Sequence, residues 1–334
     1  MKIHVISETS FLVKGTGVHT AFLDHIRLLH EKDDITVVVN GQGSGDVFHS
    51  HTYFLYYFWK GRKYKGKRVF TAHVIPDSVK GSFPCWKFLY PFTKWGLKKV
   101  YEFADVCIAI SPMVEQAIRE TGANTRIVRI GNPVYPEIWK RTEEKRNTER
   151  KKLGISENEF VVLGVGQIQK RKGVEDFLDV AEAVPEAKFV WAGGRPFGPL
   201  TEGVVRINER FRKAGPNVIR TGQISLEEMP AIYSAADLML FPSWQENCPL
   251  APLEAAASGI PVIFRDIPEY RTLYENPYLK AGNTREFIDM TSEMLSNAGY
   301  YSRGKEISAR LITQFDKDEI RKRLISLYES LMTP

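Results

Sequence analysis

Two uninterrupted apolar runs, Leu238–Phe241 and Ile260–Phe264, constrain this chain more than any other feature. Pro242 ends the first run, Gly259 precedes the second, and the residues between are enough for a turn and a helix. Two buried strands joined through a helix form the crossover that a parallel sheet requires, and a glycine is the usual helix stop.

The same rhythm extends in both directions. Apolar or alternating runs predict strands at Lys2–Ser7, Ile35–Val39, Val47–Phe48, Arg68–Ala72, Val106–Ile110 and Ile127–Val128. A second series falls at Phe160–Val165, Lys188–Ala192, Val218–Arg220, Leu238–Phe241 and Pro261–Phe264. Helical patterns separate them, among them Phe177, Leu178, Ala181 and Val184 on one face after Gly173. At 334 residues the chain exceeds one ordinary core. The fold class is therefore α/β, with two Rossmann-like, doubly wound parallel sheets. Residues 135–158 hold little to bury and are expected to connect them, which gives domains at 1–150 and 151–314 and a closing helix at 315–334. Asp316 reads as the cap of that helix.

Composition sets broad bounds. Forty-six basic against 40 acidic side chains leave a net charge of +6, a weak pointer to an anionic partner. Cys85, Cys107 and Cys248 are odd in number and widely spaced, as in a reduced, cytosolic protein. No apolar stretch approaches about 18 residues. Between Trp59 and Val100 many lysines and arginines face a single acid, Asp77, and alternate with Trp86, Phe88, Tyr90, Phe92 and Trp95. Such a segment fits an anionic membrane surface. It also fits an aromatic core beneath a solvated basic face. A nucleic-acid partner is not expected, since no fold for one is recognisable.

Chemistry concentrates after strands. Glu246 and Glu254 stand eight positions apart, one in a loop and one in a helix, with Asn247, Cys248, Pro249 and Leu250 at the helix start. Two carboxylates beside an anion-favouring helix start suit the hydroxyls and diphosphate of a sugar nucleotide. A surface turn with two solvated glutamates has the same spacing. The loop Gly166–Gly173 places Gln167, Lys170, Arg171 and Lys172 after another strand, where cations suit a diphosphate. Gly15 and Gly17 open the first helix and allow close approach of a backbone or phosphate, although Thr20 stands where a dinucleotide fingerprint has its third glycine. His73 ends a strand, where an imidazole suits a sugar hydroxyl. His49 and His51 have no carboxylate or cysteine cluster beside them and are read as pocket residues without a metal.

The segment Glu246–Val262 resembles the signature of family 4 retaining glycosyltransferases, ending in Glu254-Ala255-Ala256-Ala257-Ser258-Gly259-Ile260-Pro261-Val262. The family favours glycines where this chain has Asn247, Cys248 and Pro249, and an arginine where it has Gln167. Both departures, together with Phe160–Val174, Phe189–Gly194, Phe197-Gly198 and Lys14–Val18, resemble bacterial diglycosyl-diacylglycerol synthases. The resemblance implies the GT-B arrangement of two domains facing a cleft, with the last helix crossing back to the first domain. It implies transfer of a hexose from UDP-glucose or UDP-galactose to a glycolipid such as monoglucosyl-diacylglycerol, with no metal or other cofactor. His73 and Glu246 would serve catalysis. Gly15, Gly17, Gln167, Arg171, Lys172, Gly194, Ile224, Asn247, Cys248, Pro249, Leu250 and Glu254 would hold the donor. A peripheral place on the inner face of the cell membrane would follow. A soluble saccharide acceptor is the alternative within the class, and a dinucleotide-dependent oxidoreductase is the alternative outside it.

Overall fold

A computed structural model describes residues 1–10, 17–52, 55–80, 86–194 and 203–333. Lys14, Gly15, Thr16, Cys85, Phe197 and Gly198, all named above, lie outside the described residues. The chain divides into two compact units, residues 1–80, 86–133 and 315–333 in one and 134–314 in the other.

Each unit is built on a six-stranded parallel sheet. In the first, β1 (Lys2–Ile6), β2 (Thr36–Val39), β3 (Val47–Ser50), β4 (Lys67–Ala72), β5 (Val106–Ala109) and β6 (Arg126–Arg129) lie in the order β2-β1-β3-β4-β5-β6. In the second, β7 (Val161–Val165), β8 (Lys188–Ala192), β9 (Val218–Gly222), β10 (Leu238–Phe241), β11 (Val262–Arg265) and β12 (Leu279–Ala281) lie in the order β12-β11-β10-β7-β8-β9. The central strands are buried throughout, which is why they read as continuous apolar runs. The predicted strands are all present, and β12 was not foreseen. It has three residues, and Lys280 at its centre faces outward, so neither a run nor an alternation marks it.

Both sheets reverse their winding once. The reversal lies between β1 and β3 in the first and between β7 and β10 in the second. Ligands of open parallel sheets bind beyond the carboxyl ends of the strands at such a point. In the second unit, Trp191 and Phe177 pack edge to face at 5.1 Å behind β7. Gly164 makes room for them, since a Cβ there would stand 2.5 Å from the Trp191 ring.

The charged stretch 135–158 departs from its expected role as a connection. The helix Glu143–Leu153 belongs to the second unit, and the boundary falls at residue 134. The cause is Asp237, just before β10. Its carboxylate accepts from Arg150 Nη2 at 2.6 Å, Arg146 Nη1 at 2.9 Å, Arg141 Nη2 at 3.4 Å and the Val161 amide at 2.9 Å. Arg150, only 1% exposed, also donates to the carbonyls of Ala235, Ser156, Glu157 and Glu159. The run thus gathers three of its arginines on one acid, while Lys140, Lys151 and Lys152 stay exposed. In the first unit, Asp316 caps the helix Lys317–Met332 through the amides of Asp318 and Glu319, as its position implied. Among the described residues no helix is long and apolar enough to cross a membrane.

Removing one partner of a buried ion pair strands the other. Asp237→Ala is expected to lower unfolding stability by about 3–5 kcal/mol, read from the urea midpoint at unchanged slope.

Candidate active site

The second unit's switch point brings together most of the residues singled out after β7 and β10. The loop after β7 is laced to its neighbours by backbone bonds. The Gly166 amide reaches Ala192, the Ile168 amide reaches Gly194 at 2.9 Å, and the Gly193 amide reaches Gly222. Gly193 has φ +153°, and a Cβ there would lie 1.9 Å from the Gly166 carbonyl, so only glycine fits. Gln167, Gly194 and Ile224 are thereby held on loops that leave β7, β8 and β9. Gly173, at φ +68°, ends the tight turn Lys170–Lys172, and a Cβ there would meet the Pro242 carbonyl at 2.1 Å. That contact seats the basic loop against the end of β10.

Arg171 and Lys172 meet Glu246 across this junction. The Lys172 ammonium pairs directly with a Glu246 carboxylate oxygen, and Arg171 Nη1 lies 3.7 Å from the same oxygen. Arg171 also donates to the Gln245 carbonyl, and its own carbonyl accepts from the Trp244 amide at 2.8 Å. Burial pushes the Glu246 carboxyl up, but Lys172 and Arg171 outweigh it and hold the group below its ordinary value. Burial pulls the Lys172 ammonium down, and the carboxylate only partly restores it. Both groups stay charged because they neutralise each other.

Glu254 has a different partner. It lies in the helix Ala251–Ala257 and accepts a 2.6 Å bond from the Tyr233 hydroxyl, with both side chains buried. Trp139 packs edge-on against Tyr233 at 5.5 Å. The helix has only seven residues, and its first-turn amides at Leu253 and Glu254 both return to the Leu250 carbonyl. It is therefore too short to act as an anion site by itself. Cys248, Pro249 and Leu250 are buried and Asn247 is partly buried around its start.

Sequence reasoning missed two residues. Tyr233 lies on a buried helix, and a buried phenol usually has a hydrogen-bond partner. Arg265 ends β11 and is 1% exposed. It donates to the Pro242 carbonyl at 2.9 Å, pairs with Asp176 at 2.9 Å and lies 3.6 Å above the Trp244 ring. Trp244 Nε1 donates to the same Asp176. This brace fixes the turn that carries Glu246.

The first-unit candidates belong to the other compact unit. Nothing among the described residues approaches the position of a Cβ at Gly17, which therefore shows no close backbone contact. His73 is buried, and its Nε2 lies 2.9 Å from His51 Nδ1. It belongs to a cluster with His25, His49 and His51 that sequence spacing had only half suggested.

Residues 145–301 match the family "Glycosyl transferases group 1", and residues 18–138 match "Glycosyltransferase Family 4". An alpha-galactosylglucosyldiacylglycerol synthase of Streptococcus pneumoniae is 31% identical over 98% of this chain and 89% of its own. The chain is a family 4 glycosyltransferase. That membership overturns the oxidoreductase alternative. A processive diacylglycerol alpha-glucosyltransferase of Acholeplasma laidlawii is 27% identical over 88% of each chain. Anabaena Alr3699/HepE, solved in complex with UDP-glucose, superimposes with a TM-score of 0.78 at 17% identity, covering 99% of this chain and all of that one. The glycosyltransferase thus has the two-domain GT-B fold.

Tyr233→Phe in this glycosyltransferase removes one charge-assisted bond at little change of shape. The expected loss is about 1–3 kcal/mol of stability, measured by denaturant unfolding.

Proposed function

We propose that this glycosyltransferase transfers a hexose from UDP-glucose or UDP-galactose to a glycolipid of the monoglucosyl-diacylglycerol kind, with retention at the anomeric carbon and no metal. The observation that carries the reading is the pairing of Lys172 and Arg171 with Glu246 at the switch point. A donor diphosphate is a better partner for the two cations than a carboxylate already buried among them. Its arrival draws Lys172 from Glu246, and hydroxyls of the transferred sugar then take the carboxylate's free lone pairs. Negative charge grows on the diphosphate oxygen as the glycosidic bond breaks, and Lys172 and Arg171 are placed to stabilise it. Glu254, fixed by Tyr233, is assigned to the ribose hydroxyls. The names of the Streptococcus and Acholeplasma relatives support a diacylglycerol-based acceptor.

One surface favours a lipid over a soluble saccharide. On the helix Trp86–Phe103, Phe88, Phe92 and Trp95 are 72%, 62% and 65% exposed at one-turn spacing, and Lys87 and Lys99 are exposed on the same helix. Trp59 is 71% exposed on the helix Leu55–Gly61, with the Lys60 ammonium 5.4 Å from its ring. The aromatics are therefore not core, and exposed rings flanked by lysines suit the headgroup boundary of an anionic leaflet. We place the enzyme as a peripheral protein on the cytoplasmic face of the cell membrane.

Incubation with each UDP-sugar and monoglucosyl-diacylglycerol in anionic vesicles is expected to give a diglycosyl lipid, detected by mass. Hydrolysis of the nucleotide sugar without lipid extension would transfer the acceptor role to saccharides. Glu254→Ala should weaken UDP binding about 10–100-fold, and unchanged affinity by calorimetry would sink the ribose assignment. Replacing Phe88, Phe92 and Trp95 together by serine should reduce vesicle co-sedimentation and lipid extension while slow hydrolysis of UDP-sugar persists.

A further inference from the structure

Beside the candidate His73, the first unit holds a cluster of three further buried histidines. His25 lies within the helix Gly17–His30, His49 on β3 and His51 just beyond it. Their ring centroids are 4.3, 4.6 and 4.7 Å apart, and all three side chains are buried. One nitrogen from each lies within 4.8 Å of the other two. No other group of three such side chains is close enough to share an ion among the described residues.

The hydrogen bonds around these rings sort their nitrogens. A neutral imidazole has one N–H and one lone pair. His49 Nε2 lies 2.6 Å from the Thr71 hydroxyl, and His51 Nδ1 lies 2.9 Å from His73 Nε2. On the inner side, His49 Nδ1 and His25 Nε2 both reach the Tyr328 hydroxyl, at 2.5 and 2.9 Å. A hydroxyl has one proton, so it donates to one ring and accepts from the other. His51 Nε2 is buried and meets no partner among the described residues, which is uncommon for a buried polar atom and calls for a cause. It borders a cavity of about 20 Å³ lined also by His25 and Thr71, with apolar walls from Ile108, Ile130 and Leu324. That volume holds one water.

We propose that His25, His49 and His51 bind a zinc ion, with Thr71 and His73 orienting two of the ligands through their outer nitrogens. Three imidazoles without a carboxylate select zinc over magnesium or calcium. The unpartnered His51 nitrogen becomes a ligand, and a water in the adjoining cavity completes a four-coordinate site. Outer partners of this kind are what metal-bound histidines usually have. Nitrogens 4.8 Å apart close on zinc, with bonds of about 2.0–2.1 Å, through ring movements of about 1 Å or less. The Tyr328 hydroxyl holds two ligands in place until the ion arrives. Burial also keeps the three rings in the neutral form that binds metal. No metal is proposed for the transfer chemistry itself.

The test uses the full chain, stripped with a chelator and then dialysed against zinc chloride. Elemental analysis is expected to find one zinc per chain, and cobalt(II) in its place should give the intense visible bands of a four-coordinate site. His51→Gln should lower zinc affinity more than tenfold. Thr71→Val, which keeps the shape of the side chain, should lower it about 10–100-fold. Tyr328→Phe should keep the zinc. Wild-type protein that retains no zinc, or a His51→Gln variant that melts like wild type in chelator and binds zinc equally well, overturns the proposal.

Discussion

The ion pair between Lys172 and Glu246 is the interaction on which the rest of the second unit depends. Neither group is affordable alone at its depth, since an unpaired buried charge is strongly destabilising. Two loops must therefore leave two different strands at matching heights. The winding reversal between β7 and β10 supplies the strands. Gly173 lets one loop touch the Pro242 carbonyl, and Arg265 clamps the other through Trp244 and Asp176. The pair also makes a donor-free site electrically quiet. In the reaction proposed above, a diphosphate that takes the lysine would leave a carboxylate in need of hydroxyl donors, which would couple recognition of the two ends of a nucleotide sugar.

Asp237 plays the comparable part beneath the sheet. A helix with almost no apolar residues docks because three arginines converge on one acid, and Arg150 fills its remaining donors with carbonyls. Local composition is the same for a solvated linker and for such a helix. What separates them is a partner some 90 residues away in the chain, which no window of sequence includes.

That contrast explains what could be read in advance. The strands of both sheets, though not their order, could be read because the central ones are buried on both faces and stand out as apolar runs. Lys172, Arg171, Glu246 and Glu254 stood out because charged side chains directly after buried strands have few uses. Tyr233 and Arg265 did not stand out, because their roles rest on one hydrogen bond and one stacked ring that span 21 residues each. The exposed aromatics of the helix Trp86–Phe103 were visible as residues but not as a surface. A spacing of three or four positions gives a helical face without saying which way it points.

The histidines carry this one step further. His49 and His51 stand two positions apart and so face the same side of the sheet, where both rings meet His25 of the helix Gly17–His30. Strand alternation thus pairs these two histidines, but it does not name the third ring that covers them. Where chemistry gathers at strand ends, as it does in both units, each site is completed by side chains from elements distant in the sequence, as His25 and Tyr328 complete this one, and no local pattern shows them.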